Sequence, residues 1–360
     1  MRVLLVTSWG NSCGIAEYAQ LLKEGVESVP QGDGIEIIPS AEALDPGYVF
    51  GNWTRWRDYD RRPIDLVHLN HHDALHSRWD AELVKRLVSG ENVGQACAPV
   101  LLTYHDTREK LEDCPKLKAM HEVCSSTVVH EPVEGLKAIY WRQGVPRSEG
   151  VWQLGEARFN HGGKASRECF KSHFQQPVLG SVGFNFPWKN FERLAEETGK
   201  AGWGLLLIAH DATLEHEAYW RALNPYSWII REFLPQSEVV CRLAACDATA
   251  FMYECANTGT SAAIRQGIAA RKPVIAFSTC RQFRDLLQLD YNGDPDRGLI
   301  KSGIRWCEHW DDFPQALQLV RPGPWDPGIT ALAHADSWQQ LGRNYAQLYR
   351  TLVGVDGSTL

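Results

Sequence analysis

Short, almost wholly apolar runs recur along this chain, each followed by a longer amphipathic stretch. Val3-Leu4-Leu5-Val6-Thr7 is the first, and it meets a glycine-containing turn before a helical pattern from about Ile15 to Val26. Further strands are predicted at Ile35–Ile38, Leu66–Leu69, Val100–Tyr104 and Thr127–His130, with the helix Asp80–Val88 among the segments between them. The alternation resumes with strand Val178–Val182, helix Asn190–Thr198, strand Leu205–Ile208, helix Glu215–Leu223 and strand Trp228–Ile230. Helix Ser237–Ala245, strand Ala248–Met252, helix Ser261–Ala270 and strand Val274–Phe277 follow. A strand apolar on both faces needs cover on both faces, so the pattern predicts an α/β architecture of parallel sheets flanked by helices.

Between the two series lies HGGKASRECFKSHFQQP, His161 to Pro177, polar and rich in small residues. A domain boundary is placed there, and 360 residues suit two domains better than one core. The expected division is 1–165, 166–330 and a closing segment 331–360, in which Thr330 to Leu352 reads as one amphipathic helix packing back on the first domain. Two doubly wound, Rossmann-like domains facing across a cleft bind ligands at the C-terminal ends of their strands.

A hydrophobic content of 44%, a charged content of 22% and a net charge of −7 describe a globular protein that does not coat nucleic acid by bulk charge. The ten cysteines form no Cys-x-x-Cys pair, which argues against zinc ribbons and dithiol redox chemistry. MRVLLVTSWG reads as a buried first strand and not a signal peptide, and no run nears the roughly 18 apolar residues of a membrane span. A reducing cytoplasm is the expected location.

Six stretches carry candidate chemistry. In SWGNSCGIAEYAQLL, Gly10 and Gly14 flank a turn into a helix whose free N–H groups suit an anion, or they merely complete the turn. LLTYHDT ends a strand in His105-Asp106, a pair suited to base or orienting work, against the plainer reading of a strand cap. HLNHHDALH adds His68, His71, His72 and His76; His72 and His76 have helical metal-ligand spacing but no third ligand, so acceptor contact is preferred and no metal is expected. GSVGFNFPWKNFERLAEE puts Lys189 at a helix start, where a cation suits a phosphate and otherwise merely faces solvent. Thr258-Gly259-Thr260-Ser261 opens another helix, as a diphosphate cradle or as a cap through Thr260 or Ser261. NWTRWRDYDRRP interleaves Arg55, Arg57, Arg61 and Arg62 with Trp53, Trp56 and Tyr59, a composition for sugar or nucleotide stacking that Asp58 and Asp60 dilute towards a solvated loop.

In this order these pieces resemble the GT-B glycosyltransferases, specifically the family-4-like group that uses nucleotide sugars. The resemblance runs from MRVLLVTSWGNSCGIAEYA through LLTYHDT, VVHEP and VWQLGEARF to VGFNFPWKNFERL, LLLIAHDA, FLPQSEVVCRLAACDATAFM and TGTSAAIRQGIAARKPVIAF. It implies an acceptor-binding first domain and a donor-binding second domain. Gly14 is then near the donor phosphates, His105 near the transferred sugar with Asp106 in support, Lys189 on the diphosphate and Leu234 in the base pocket. The turn Thr258 to Ser261 cradles phosphate or sugar hydroxyls, and His71, His72, Arg55, Trp56 and Arg57 meet the acceptor. The implied donor is a UDP-sugar such as UDP-glucose, with no cofactor and no metal.

The chain departs from that group where two glutamates are usual; counted back from Pro273-Val274-Ile275, their places hold Thr258 and Gln266. Gln266 keeps a hydrogen bond for a ribose, whereas Thr258 supplies no carboxylate, and Glu254 lies four positions away. The usual arginine after the second-domain strand is replaced near Phe184. The leading expectation is therefore a metal-independent transfer of sugar to an acceptor hydroxyl, on a glycan, a small molecule or, as virus-type enzymes do, a hydroxymethylated DNA base. The alternatives are a non-catalytic binder of sugar nucleotides or protein partners and, third, a sugar-nucleotide epimerase.

Overall fold

The computed structural model describes residues 1–11, 13–30, 34–50, 63–90, 98–146, 176–210, 220, 223, 227–255, 259–292, 301–320 and 325–354. Two compact units divide the chain: Met1–Gln143 with Thr258–Thr260 and Trp338–Leu360, and Gly144–Asn257 with Ser261–Ser337. The predicted boundary stretch 160–177 and helix 215–223 fall almost wholly outside the described residues.

The first unit holds a parallel six-stranded sheet, in the order β2-β1-β3-β4-β5-β6. Its strands are β1 (Arg2–Val6), β2 (Glu36–Ser40), β3 (Leu66–His71), β4 (Val100–Tyr104), β5 (Ser126–Val129) and β6 (Ile139–Tyr140). Its helices are α1 (Gly14–Glu27), α2 (Ala81–Ser89) and α3 (Pro115–His121). The period of two along β1 sorts its side chains: Leu4 and Val6 pack with Val67, Leu69, Val100 and Leu102 on one face. Val3 and Leu5 pack with Leu66, Leu101 and Tyr18 on the other. Each such buried side chain contributes roughly 1.5–3 kcal/mol.

The second unit holds another parallel six-stranded sheet, in the order β12-β11-β10-β7-β8-β9. It is built from β7 (Val178–Phe184), β8 (Gly204–His210), β9 (Ser227–Ile230), β10 (Ala248–Phe251), β11 (Val274–Phe277) and β12 (Arg305–Cys307). Helices α4 (Phe191–Lys200), α5 (Gln236–Ala245), α6 (Ala262–Ala269), α7 (Arg284–Asn292), α8 (Phe313–Gln318) and α9 (Pro327–Ala335) accompany it. The short strands β6 and β12 escaped the sequence reading because two or three residues show no periodicity.

The closing segment is two helices where one was expected. After α9 the chain leaves helical geometry at Asp336, whose carbonyl accepts from Val145 N–H at 2.7 Å. It then re-enters helix as α10 (Trp338–Val353). Within the first unit α10 crosses α1 at two glycines: a Cβ on Gly25 would stand 2.5 Å from the Trp338 carbonyl oxygen, and one on Gly342 would strike the Gly25 backbone. A buried polar chain fixes the same helix. His68 bonds Tyr349 Oη and Thr103 Oγ1, Thr103 bonds Tyr345 Oη at 2.9 Å, Tyr345 bonds Tyr18 Oη at 3.0 Å, and Tyr18 bonds His130. Burial holds His68 neutral, its pKa lowered to about 3.

Candidate functional site

In the first unit the neighbouring strands β1, β3 and β4 run out into Thr7, His71 and His105. Asn70, fully buried on β3, lies between two of them: its Nδ2 donates to Thr7 Oγ1 at 3.0 Å, and its Oδ1 faces His105 Nε2 at 2.6 Å. The His105 ring also stands edge-on to Tyr18, with centroids 4.6 Å apart. Burial, and then the surrounding rings of His130, His72, His76 and His71, hold the His105 pKa well below the usual histidine value, so the ring is neutral. Sequence reading missed Asn70, because a polar residue inside an apolar strand carries no motif.

Asp106 was expected to support His105, but its carboxylate turns elsewhere. It accepts from Asp73 N–H at 2.6 Å and lies 3.4 Å from His72 Nε2. Burial raises its pKa above the ordinary carboxylate value. His105 is oriented by a side-chain amide one strand away, a pairing that only the register of β3 against β4 creates. The His76 ring turns to the main chain. His76 Nδ1 takes the His72 backbone N–H at 3.1 Å and its Nε2 meets the Val6 carbonyl at 3.2 Å, so the backbone occupies both ring nitrogens. His71 is fully buried, stacked on Tyr104 at 4.8 Å, with its pKa lowered by burial to about 2. It is thus placed in the interior of the first unit.

Gly14 opens α1 in free space, with nothing within 4 Å of a built Cβ. The preceding Cys13 caps the helix through Sγ, which accepts from Ala16 N–H at 3.4 Å. Gly259 and Thr260 belong to this unit. Gly259 adopts a φ of +84°, and a Cβ there would lie 2.6 Å from the His105 carbonyl oxygen, so only glycine fits without displacement. Thr260 Oγ1 donates to Gln143 Oε1 at 2.8 Å. Thr258, Arg55, Trp56 and Arg57 lie outside the described residues.

In the second unit Lys189 is the central feature. It does not start a helix: it ends the turn Pro187–Lys189, and Asn190, at φ +54°, separates it from α4. Nor does it face solvent, being only 6% exposed. Its ammonium lies 4.0 Å from the Tyr253 ring centroid and 5.0 Å from that of Trp188, and among the described residues no carboxylate pairs with it. Gly183 makes the room, since a Cβ there would collide with Nζ. Burial lowers the lysine pKa from 10.5 to about 7. Among the described residues, an ammonium so placed is short of a negative partner.

The N-terminus of α6 carries no side-chain cap. Ser261 occupies the cap position at 5% exposure, yet its side chain makes no capping bond, and Thr260 Oγ1 is turned to Gln143, so the alternative reading of a cap finds no bond among the described residues. Gln266 is buried in the same helix. Glu254 is committed to Trp310, whose Nε1 donates to it at 3.0 Å. Leu234 packs half-buried against the core. Beside it lies a group that motif reading missed: Phe233 is 42% exposed and sits 6.2 Å from Phe184 and 5.7 Å from His210. Phe186 stacks on Trp188 at 5.4 Å. These aromatics come from the ends of β7 and β8 and the segment after β9, so only the sheet assembles them.

No protein-family model matches the chain, and no curated protein matches it. Solved structures do. AviGT4, described as a glycosyltransferase involved in avilamycin A biosynthesis, superposes with a TM-score of 0.55 at 13% identity, covering 99% of each chain. The catalytic domain of starch synthase IV from Arabidopsis thaliana, bound to ADP and acarbose, gives 0.59 at 9% identity over 98% of this chain and 99% of its own. A UDP-forming α,α-trehalose-phosphate synthase from Burkholderia xenovorans gives 0.58 at 11% identity over 99% of both. Two parallel six-stranded sheets flanked by helices, matched over almost the full chain, are the GT-B glycosyltransferase fold. The fold resemblance drawn from the sequence motifs holds.

Proposed function

We propose that this chain is a glycosyltransferase that moves a sugar from a nucleotide-sugar donor to an acceptor hydroxyl. The observation that carries the reading is Lys189, a buried ammonium without a carboxylate partner among the described residues. A donor diphosphate supplies the missing charge, and the uncapped N-terminus of α6 offers it further N–H donors. The exposed rings of Phe233 and Phe186 offer faces on which a nucleobase stacks. Phosphorylated donors also suit the company this fold keeps: a UDP-forming synthase and a synthase bound to ADP are among its neighbours. UDP-sugars are therefore the first donors to test, and a glycan or small-molecule hydroxyl is the acceptor class.

The bond between the anomeric carbon and the diphosphate oxygen breaks, that carbon bonds the acceptor oxygen, and the hydroxyl proton passes to the leaving diphosphate. Lys189 stabilises the charge that gathers on the leaving diphosphate. Within the first unit His105, neutral, suits a hydrogen bond from an acceptor hydroxyl. A thermal-shift screen of nucleotide sugars tests the reading. A donor at about 100 times its Kd adds roughly 2.7 kcal/mol to stability, and Lys189→Ala should abolish that shift. If no nucleotide sugar raises the melting temperature, or if the variant responds like the parent, the proposal is wrong.

A further inference from the structure

We infer that Asn70 is a positioning residue that fixes the His105 ring in one tautomer, leaving Nδ1 as an acceptor aimed at a ligand hydroxyl. The chain of bonds has a direction. Among the described residues the Asn70 amide has two partners, Thr7 Oγ1 and His105 Nε2. Its NH2 end donates to Thr7, so its carbonyl end meets the ring; an oxygen only accepts, and Nε2 therefore carries the hydrogen. A neutral imidazole has one N–H, so Nδ1 bears the lone pair, and no described residue hydrogen-bonds it.

The surroundings hold this arrangement in place. Thr7 and Asn70 are both fully buried, so water does not compete for their bond. The His105 backbone is tied to β3 by its N–H to the His71 carbonyl at 3.1 Å, and Tyr18 closes one side of the ring. Gly259 lies against the His105 carbonyl, where an added Cβ would come within 2.6 Å of the oxygen. Reversing the Asn70 amide would aim its NH2 at the ring, move the hydrogen to Nδ1 and turn the outward nitrogen from acceptor to donor. The ligand group this ring selects is thus a hydroxyl or another hydrogen-bond donor. That part rests on the glycosyltransferase reading; the tautomer does not.

Nitrogen and carbon NMR of the full chain with isotope-labelled histidine tests it, the His105 signals being those lost in His105→Gln. The expected spectrum shows Nε2 protonated and Nδ1 not, in the ligand-free protein. Thr7→Val, nearly isosteric, frees the amide to reverse, and Asn70→Leu removes it; both should give a mixture or an exchange of the two forms. A parent protein with Nδ1 protonated overturns the inference, as do folded variants that keep the parent spectrum. Where sugar transfer is measured, Asn70→Leu should lower kcat by about tenfold or more and leave the donor KM nearly unchanged. A positive tautomer result with no nucleotide sugar bound would sustain the positioning role and remove the transferase reading, so the two fail separately.

Discussion

Lys189 shows how a residue's meaning reverses once its surroundings are known. In the sequence it is a cation near a helix start; in the structure it is buried under two aromatic rings, with Gly183 as the cavity that admits it. The burial has a consequence for stability. Below about pH 7 the lysine is charged in both folded and unfolded chains, and the folded chain bears the full cost of a buried charge. Between about 7 and the ordinary 10.5 the folded lysine is neutral while the unfolded one stays charged, so stability rises with pH. Lys189→Met should therefore raise the melting temperature of the ligand-free protein at pH 7 and below. Its advantage, at about 1.4 kcal/mol per unit of relieved shift, should fade as pH approaches 10. Paired thermal melts across that range check it, and a pH-independent difference between the two proteins would refute it.

At the scale of elements, the amphipathic and apolar periods located most strands and helices, because a buried face leaves its spacing in the chain. They did not locate the break between α9 and α10, where neither proline nor glycine stands and the interruption is tertiary: a Val145 N–H takes the carbonyl of Asp336. Nor did they show how closely α10 lies on α1. Gly342 in a helix interior invites replacement by alanine, worth about 1 kcal/mol in helix propensity. The crossing reverses that sign, because the new methyl would enter the Gly25 backbone. Gly342→Ala should cost about 1–3 kcal/mol net, the usual range for overpacking, measured by urea unfolding. A neutral or stabilised variant would mean that the helices separate freely.

For the whole molecule, the two units have separate cores, and the last helix belongs to the first of them. Tyr345 and Tyr349 bury hydroxyls that serve Thr103, Tyr18 and His68 on the first sheet and on α1. A chain ending at Ser337 would leave those polar groups unmatched and strip the cover from Val3, Leu5 and Leu101. Hydrogen exchange on that truncated chain should show lost protection in β1, β3 and β4, with β7, β8 and β10 still protected. Equal protection in both sheets would contradict the assignment of α10 to the first core.

The sequence alone determined the architecture, because alternating apolar strands and amphipathic helices admit few arrangements other than covered parallel sheets, and the order of the motifs carried the resemblance to GT-B enzymes. It also marked His105 and the Gly259 turn, at a strand end and before a helix start, and Lys189, which ends a turn one residue short of a helix. The tertiary structure decided which groups serve which. Asn70 and not Asp106 orients His105, the aromatic group of Phe184, His210 and Phe233 comes from three separate segments, and Lys189 is buried without a carboxylate beside it among the described residues. Local spacing is written into the chain by helix and strand periods, whereas hydrogen-bond partners and burial depend on sheet register and close approach, which join residues far apart in sequence.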